Sequence, residues 1–313
     1  MKLSDVIDMD NIIKIDVYND NEDRLDLFLS EELEGITRSA IQKLIKSGNI
    51  TVNNKVKKSS YLLKEGDRVL INIPEARPIE IFPEDIPIDI LYEDNDLAIV
   101  NKVQGMVVHP APGNYSGTLV NALLFHIGDL SMTNGLIRAG IVHRLDKDTS
   151  GLLIIAKNEI THYELTKQFK DRSVLKEYIT LVHNKVKEDG KINKPIGRNP
   201  KNRKKMAVVQ NGKEAITSYQ VLKSYNKYTL LKIDLKTGRT HQIRVHMADI
   251  NHPIVGDPVY SSGKNEFKID KQLLHAFKIG FIHPKREEYM EFEKDVPEDF
   301  ENIINKLNKR VII

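Results

Sequence analysis

Four prolines between residues 74 and 87 divide the chain: Pro74, Pro78, Pro83 and Pro87. Proline lacks a backbone N–H and has a restricted φ angle, so a segment this rich in proline continues neither a helix nor a central strand. Acidic residues surround these prolines, and together they are typical of a stiff linker. At about 150 residues per domain, a chain of 313 residues has room for roughly two domains. We therefore predict an N-terminal extension (1–20), a small domain (21–74), a linker (75–90) and a large domain (91–313).

The composition is that of an ordinary globular protein, with 40% hydrophobic and 29% charged residues. The absence of cysteine excludes disulfides, thiolate nucleophiles and cysteine-containing zinc sites. The first ten residues mix apolar and acidic side chains, unlike a secretory signal. No apolar run in the sequence approaches the roughly 20 residues that cross a bilayer. We expect a cytoplasmic, monomeric protein with no membrane partner.

Charge is segregated along the chain. Residues 36–64 contain no acid, and neither do residues 190–213. A charged helix face is usually just solvated, but a surface without neutralising acids favours the binding of phosphates. The basic residues of the two segments are Arg38, Lys43, Lys46, Lys55, Lys57, Lys58 and Lys64, followed by Lys191, Lys194, Arg198, Lys201, Arg203, Lys204, Lys205 and Lys213.

The first basic segment has a readable local structure. Thr37 can cap a short helix that ends near Ser47, with Gly48 placed to terminate it. Alternating apolar and polar residues on either side of Asn53-Asn54 predict a hairpin, because asparagine tolerates the positive φ angles of a tight turn. We expect the helix and the hairpin to form one basic face.

Short apolar runs separated by turns dominate the large domain: LAIV, MVV, LLIIA, YITLV, ITSYQVL, YTLLKIDL, HAFKIGFI and EYMEF. Their length and composition are typical of strands. Helices are predicted over 118–127, over 161–171 with Thr161 and Glu164 as a capping box, from Thr240, and after Pro297. Many strands with scattered helices indicate an α+β fold around a mostly antiparallel, mixed β-sheet.

Several enzyme classes have no motif here. There is no Gly-x-x-x-x-Gly-Lys-Ser/Thr loop, no Gly-x-Gly-x-x-Gly, and no Gly-x-Ser-x-Gly around Ser150. His241 and His246 flank Arg244, and a neighbouring cation disfavours a metal site. Asp146 precedes a Thr-Ser-Gly turn, where an aspartate commonly bonds local backbone amides. The pattern alone favours that turn role for Asp146.

Residues 24–69, "RLDLFLSEELEGITRSAIQKLIKSGNITVNNKVKKSSYLLKEGDRV", resemble an S4 RNA-binding domain. The resemblance rests on Arg24-Leu25-Asp26, on Thr37-Arg38-Ser39, on the "VNN" turn and on Gly66-Asp67. It implies a small α/β domain that binds RNA through the basic face, with contacts from Arg38, Lys43, Lys46, Lys55 and Lys57.

The segment "IVHRLDKDTSGLLIIAK" resembles the catalytic motif of the large-subunit (RluA-type) pseudouridine synthases, of the synthase D type. The family's other motifs follow the same order around it: "IVNKVQGMVVHPAPGN", "LKEYITLV", "TGRTHQIRVHM", "HPIVGDPVYS" and "LLHAFKIGFIHP". Together they span residues 97–284. The sequence departs from the pattern at Val103, where the family usually has proline.

The resemblance implies an RNA pseudouridine synthase that acts on large-subunit ribosomal RNA or its precursor. Asp146 would be the nucleophile or base, Arg244 would pair with it, and Tyr178 would stack on the uracil. Arg144 would handle the flipped strand. The isomerisation oxidises nothing and transfers no group, so it demands neither cofactor nor metal. Phosphate contacts are expected from His143, Lys147, Lys176, Arg203 and Lys204.

Two other functions remain open at this point. A synthase directed at transfer RNA would share the chemistry and differ only in its substrate. A non-catalytic RNA-binding factor in ribosome assembly would need only the basic N-terminal module. Salt-sensitive RNA binding is expected of all these proteins, so it does not separate them.

Overall fold

The computed structural model describes residues 6–9, 12–18, 23–33, 35–74, 81–111, 113–203, 205–261 and 265–311. The chain divides into two compact units, residues 1–78 and residues 79–313. The division falls within the predicted linker. Among the described residues, no helix is both long and apolar enough to cross a bilayer.

The first unit is a four-stranded antiparallel sheet with two helices. The sheet order is β1-β2-β4-β3. Leu29 of the first helix and Ile41 of the second are fully buried in one core with Val69 of the sheet. The elements are β1 (Val6–Met9), β2 (Ile12–Asp16), α1 (Leu25–Glu32), α2 (Arg38–Lys46), β3 (Ile50–Val52) and β4 (Arg68–Asn72).

The predicted N-terminal extension, residues 1–20, is wrong where the structure describes it. Strand β2 pairs with β4 along its whole length, and β1 pairs with β2. Ile15 and Val17 are buried in the core of the unit. Because apolar and polar residues alternate in this stretch, its apolar side chains lie on the face of the strands that packs on the core. The stretch therefore belongs to the small domain.

The helix and the turn predicted for the basic segment are confirmed. The Thr37 hydroxyl accepts a hydrogen bond from the Ala40 N–H at 3.4 Å and caps α2. Asn53 and Asn54 have φ angles of 52° and 61°. The predicted hairpin does not continue into two paired strands. A single isolated bridge between Val52 and Lys55 closes the turn, and β3 pairs with β4 instead.

The second unit contains a large mixed sheet in the order β5-β6-β7-β14-β8-β13-β12-β9, with β15 paired to β14. Among these described strands, β7 and β14 run parallel and the other pairs are antiparallel. This arrangement confirms the α+β prediction. The strands are β5 (Asp89–Glu93), β6 (Leu97–Lys102), β7 (Ser150–Ala156), β8 (Leu175–His183), β9 (Gly190–Asn193), β12 (Ile216–Ser224), β13 (Tyr228–Leu235), β14 (Leu274–Ile282) and β15 (Tyr289–Glu293), with a separate hairpin of β10 (Ile196–Arg198) and β11 (Met206–Val208).

Four helices of at least two turns accompany the described sheet: α3 (Leu119–His126), α4 (Glu159–Lys170), α5 (Gln242–Asp249) and α6 (Glu298–Val311). The predicted start of α4 is wrong, because the Asn158 side chain, and not Thr161, caps the helix by accepting from the Thr161 N–H at 2.9 Å. The predicted MVV strand is also absent. The carbonyls of Val107 and Val108 accept from the first N–H groups of α3 instead.

Residues 81–88 of the predicted linker belong to the second unit. Ile81 is buried in the core of that unit. The Asn121 side-chain amide donates to the Phe82 carbonyl at 2.9 Å, and the Glu84 carboxylate accepts from the Gly117 N–H at 3.1 Å. The segment forms neither helix nor strand before β5, and backbone and side-chain hydrogen bonds to residues 117–121 hold it on the domain surface.

Gly151 determines how closely β7 and β14 approach each other. It has a φ angle of 115° and pairs directly with Ala276. A Cβ atom at this position would overlap the backbone of Ala276. Strand β7 is buried along its entire length, so it holds the loop that precedes it, residues 143–149, against the core.

We predict that Gly151→Ala lowers the free energy of unfolding by at least about 2 kcal/mol, because alanine adds both backbone strain and overlap with Ala276. Gly128→Ala is the matched control, since nothing lies within 4 Å of the added methyl group. Thermal and denaturant unfolding of both variants measures the difference. Equal midpoints for the two variants would contradict the close approach of β7 and β14.

Candidate active site

An open cleft of about 540 Å³ lies between the loop before β7, strand β8 and the start of α5. It brings together residues far apart in the sequence, and four of them were predicted as site residues. Those four are Arg144, Asp146, Tyr178 and Arg244.

The Asp146 carboxylate is held by an arginine and not by the turn that follows it. The backbone carbonyl of Asp146 accepts from the Thr149 N–H at 3.1 Å and closes the turn. One carboxylate oxygen, Oδ2, accepts from Nη1 of Arg244 at 2.9 Å. The side chain is 19% exposed and lines the cleft. The sequence pattern favoured a side-chain bond from Asp146 to the turn. In the structure the backbone carbonyl of Asp146 closes the turn, and the carboxylate faces the cleft.

Arg244 is buried on α5, only 4% exposed, between two carboxylates. Its Nε and Nη2 donate to the two oxygens of Asp257, at 2.8 and 3.0 Å, while Nη1 reaches Asp146. Burial acts to lower the pKa of Arg244. Its hydrogen bonds to Asp257 and Asp146, together with the negative charges of these two residues, outweigh burial, so the pKa lies above its ordinary value. The guanidinium is therefore a permanently charged donor with a fixed direction.

Asp257 is the buried anchor of this arrangement. It has no exposed surface, and its Oδ1 also accepts from the N–H groups of Val259 and Tyr260 at 2.8 and 3.0 Å. Asp257 was not predicted as a site residue, although it lies within the "HPIVGDPVYS" motif. A buried, paired carboxylate and an exposed one look alike in a sequence.

Tyr178 lies on β8 and lines the cleft with 8% of its surface exposed. Burial and the charge of Asp146 raise the pKa of its phenol above the ordinary value. The ring is therefore a neutral phenol at physiological pH. It offers an aromatic face and a hydroxyl that keeps its proton.

Lys102 supports the loop that carries Asp146, and it was not predicted as a site residue. The side chain is 1% exposed, and its Nζ donates to the carbonyls of Val103, Met106 and Lys147 at 2.9, 2.9 and 3.0 Å. Burial lowers the pKa of Lys102 to about 7, against the pull of Asp148 and Asp146. Three carbonyls match the three N–H bonds of an ammonium group, so Lys102 ties the end of β6 to the loop of Asp146.

The predicted phosphate contacts of the second unit have different surroundings. Arg144, Lys147 and Arg203 are exposed, whereas Lys204 lies outside the described residues. Lys176 is 8% exposed and stands 5.6 Å from the Phe169 ring centroid. It lines a groove that adjoins the cleft and is shared with other cations: Arg144, Lys170, Arg172, Lys236 and Arg239.

His143 has the surroundings of a structural histidine. Its Nε2 accepts from the Ile154 N–H at 2.9 Å, and its ring lies 4.6 Å from that of Phe169. Burial lowers the pKa of His143 to about 3, so the ring is neutral at physiological pH. A neutral ring with one nitrogen already bonded is poorly suited to holding phosphate.

On the first unit, Lys43, Lys46 and Lys55 are exposed as expected of an RNA-binding face, and Lys57 lies 4.8 Å from the Tyr61 ring centroid. Arg38 is different. Its Nη2 pairs with the buried Asp26 at 2.9 Å, and Asp26 also accepts from Arg24 and Gln42. An acid from outside residues 36–64 therefore neutralises Arg38, which corrects the expectation of an unopposed basic face.

The residues considered for a metal site and for a hydrolase triad, His246 and Ser150, make ordinary structural contacts. His246 is fully buried, with its ring nitrogens bonded to the Thr217 hydroxyl and the Lys194 carbonyl, each at 2.9 Å. Ser150 bonds Nδ1 of His275 at 2.8 Å, but the other nitrogen of that ring meets the Lys294 carbonyl and not a carboxylate. These pairs do not form a catalytic triad.

Asp94, Asp96 and His283 converge at the β5–β6 turn, in the one group of metal-ligand type found among the described residues. None of them lines the cleft. Arg286 already pairs with Asp94 at 3.0 Å, and His283 bonds the same oxygen at 3.0 Å. The charge and the hydrogen bonds of this group are satisfied within the protein.

Comparison with known proteins agrees with this fold and cleft. The RNA pseudouridylate synthase family matches residues 96–249, and the S4 domain matches residues 23–69. The chain is 47% identical to an uncharacterized RNA pseudouridine synthase of Aquifex aeolicus, over 99% of both chains. It is 40% identical to ribosomal large subunit pseudouridine synthase D of Zymomonas mobilis, over 91% of this chain and 93% of that protein.

A solved structure, human RNA pseudouridylate synthase domain containing 4, superposes with a TM-score of 0.55 at 26% identity, over 70% of this chain and 93% of that one. A mixed sheet of this topology, with a cleft that holds an arginine-bound aspartate and a buried tyrosine, defines an RNA-modifying isomerase of the pseudouridylate synthase fold. The chain belongs to the RNA pseudouridine synthase family, and its first unit carries an S4 domain. The resemblance read from the motifs is confirmed.

We predict that Asp257→Asn lowers the rate of pseudouridine formation by about a hundredfold, because a shift of about 1 Å in Arg244 and Asp146 is enough for such a loss. Breaking the buried pair should also lower the free energy of unfolding by about 3–5 kcal/mol. Both are measured below the unfolding midpoint of the variant.

The control is Asp249→Asn at the end of α5, the helix that carries Arg244, where the aspartate forms a partly exposed ion pair with Lys194. Such a pair contributes at most about 1 kcal/mol. Similar activities for the two variants would show that Asp257 is not the anchor of the site.

Proposed function

We propose that this protein isomerises uridines of large-subunit ribosomal RNA to pseudouridine, with Asp146 as the reacting carboxylate. One observation carries the proposal: the cleft presents Asp146 with one oxygen held by Arg244 and the other free of that arginine. The relatives named ribosomal large subunit pseudouridine synthase D support the choice of substrate.

The reaction breaks the bond between N1 and C1′, turns the uracil, and joins C5 to C1′. One carboxylate can act as nucleophile at the sugar or uracil, or as base. In either role the protein must position the group against the reacting atoms. Arg244 meets this need, because it fixes Oδ2 by a charge-assisted hydrogen bond.

Tyr178 would bind the uracil during its turn. Its buried ring offers a face on which the base can stack in more than one orientation. Since burial and Asp146 raise the pKa of its phenol, the hydroxyl is suited to donating a hydrogen bond and not to removing the C5 proton at neutral pH. We therefore assign it the stacking role.

The target uridine must leave its stack to reach the cleft, which costs a few kcal/mol and is least costly in loops and bulges. Arg144 is exposed at the cleft and would support the strand from which the base is taken. The adjoining cationic groove would hold the flanking phosphates, with Lys170 and Lys236 among its residues. The S4 domain would add affinity for structured RNA, and we expect a cytoplasmic monomer.

The test is release of tritium from C5 of uracil in ribosomal RNA transcripts. We expect release by the native protein, and a loss of at least about a thousandfold for Asp146→Asn, which keeps the size of the side chain but not its charge. Asp148→Asn, two residues away in the same turn, is the control and should stay active. Equal release by Asp146→Asn and the native protein would refute the role of Asp146.

The same experiment separates the alternatives. Release from transfer RNA but not from large-subunit RNA would contradict the proposed substrate while leaving the chemistry intact. An assembly factor without activity would release no label from either RNA. Its cellular function would also be restored equally by the native protein and by Asp146→Asn.

A further inference from the structure

His241 stands directly before α5 in a left-handed backbone conformation, with φ of 56° and ψ of 22°. Residues other than glycine adopt this conformation infrequently, and such outliers cluster at functional sites. The side chain lines the cleft and is 23% exposed. Its Nε2 lies 4.0 Å from Oδ1 of Asp146, the oxygen that Arg244 does not hold.

The Tyr260 hydroxyl contacts Nδ1 of His241, the ring nitrogen other than the one nearest Asp146. The Tyr260 oxygen accepts from the Met206 N–H at 2.9 Å, and it lies 2.9 Å from Nδ1 of His241. With a backbone donor already on its oxygen, the hydroxyl is free to direct its own hydrogen at Nδ1. In a neutral imidazole, an accepting Nδ1 leaves the proton on Nε2. The nitrogen that faces Asp146 is then a donor.

Burial favours the neutral form of this donor. Burial lowers the pKa of His241. The charges of Asp146 and Asp257 act to raise this pKa, and those of Arg244 and Arg144 act to lower it. The result is a pKa below the ordinary value. The Tyr260 ring covers the Arg244 guanidinium, 5.2 Å from ring centroid to Cζ. One tyrosine therefore contacts both side chains that approach the Asp146 carboxylate.

We propose that His241 is a positioning residue of the reaction, donating from Nε2 to Oδ1 of Asp146 while Tyr260 holds the imidazole in that tautomer. The inference rests on the proposed role of Asp146. A carboxylate held at one oxygen can still rotate about its Cβ–Cγ bond, and a second donor fixes its plane. The distance of 4.0 Å is longer than a hydrogen bond, and such contacts commonly tighten when substrate fills the site.

Two substitutions at His241 separate this role from a purely structural one. Glutamine places an N–H donor near the position of the imidazole Nε2, whereas asparagine reaches only the position of Nδ1. Asparagine is, however, the residue that best tolerates a left-handed backbone. A positioning role and a backbone role therefore predict opposite orders of activity.

The experiment measures single-turnover tritium release and RNA affinity for His241→Gln and His241→Asn in the full chain. We expect His241→Gln to react at least about tenfold faster than His241→Asn, with similar affinities for RNA. Equal rates, or a faster asparagine variant, would overturn the proposal. The same pair of substitutions at the exposed His126 of α3 is the control and should leave the rate unchanged.

Tyr260→Phe provides a second measurement that does not alter position 241. It keeps the ring over Arg244 but removes the hydroxyl that bonds Nδ1. We expect a lower single-turnover rate with unchanged RNA affinity, and an unchanged rate would overturn the proposal. Asp146→Asn is measured in parallel. If Asp146→Asn remains active, the proposed function fails. If Asp146→Asn is inactive while His241→Gln and His241→Asn react at equal rates, only the role of His241 is refuted.

Discussion

The bond network of Arg244 is the interaction on which the candidate site depends. A guanidinium on α5 joins a fully buried carboxylate, Asp257, to a carboxylate in the cleft, Asp146. Its three bonded nitrogens leave it little freedom to turn. Two acids and one arginine carry one formal net negative charge, and of the three side chains that of Asp146 is the most exposed.

The rest of the domain holds the two ends of this network in place. Lys102 binds three carbonyls, one of them from Lys147, and so fixes the loop that carries Asp146. Gly151 lets β7 pair closely with β14 directly after that loop. At the other end, the backbone N–H groups of Val259 and Tyr260 hold Asp257. Buried polar groups with all their bonds made give a rigid site, and the loss of one partner is costly.

The sequence predicted those features that depend on local pattern or on motif resemblance. The cap of Thr37, the Asn53-Asn54 turn and the long apolar strands follow from short-range rules, and Asp146, Tyr178 and Arg244 came from the motifs. Asp257 and Lys102 were not assigned roles, since burial of a charged side chain is decided by distant segments. Arg38 was misjudged for the same reason, because its partner Asp26 lies on the preceding helix. The proline-rich segment was predicted to be a stiff linker, and its bonds to α3 could not be inferred.

The most direct test of this account replaces Arg244 with lysine, which keeps the charge but cannot bridge Asp257 and Asp146 with a planar fork. Single-turnover formation of pseudouridine and RNA affinity are measured on the same transcript. We predict a rate lowered by about a hundredfold with RNA affinity changed by less than about threefold, because only the positioning of Asp146 is lost. A lysine variant that reacts as fast as the native protein would contradict it.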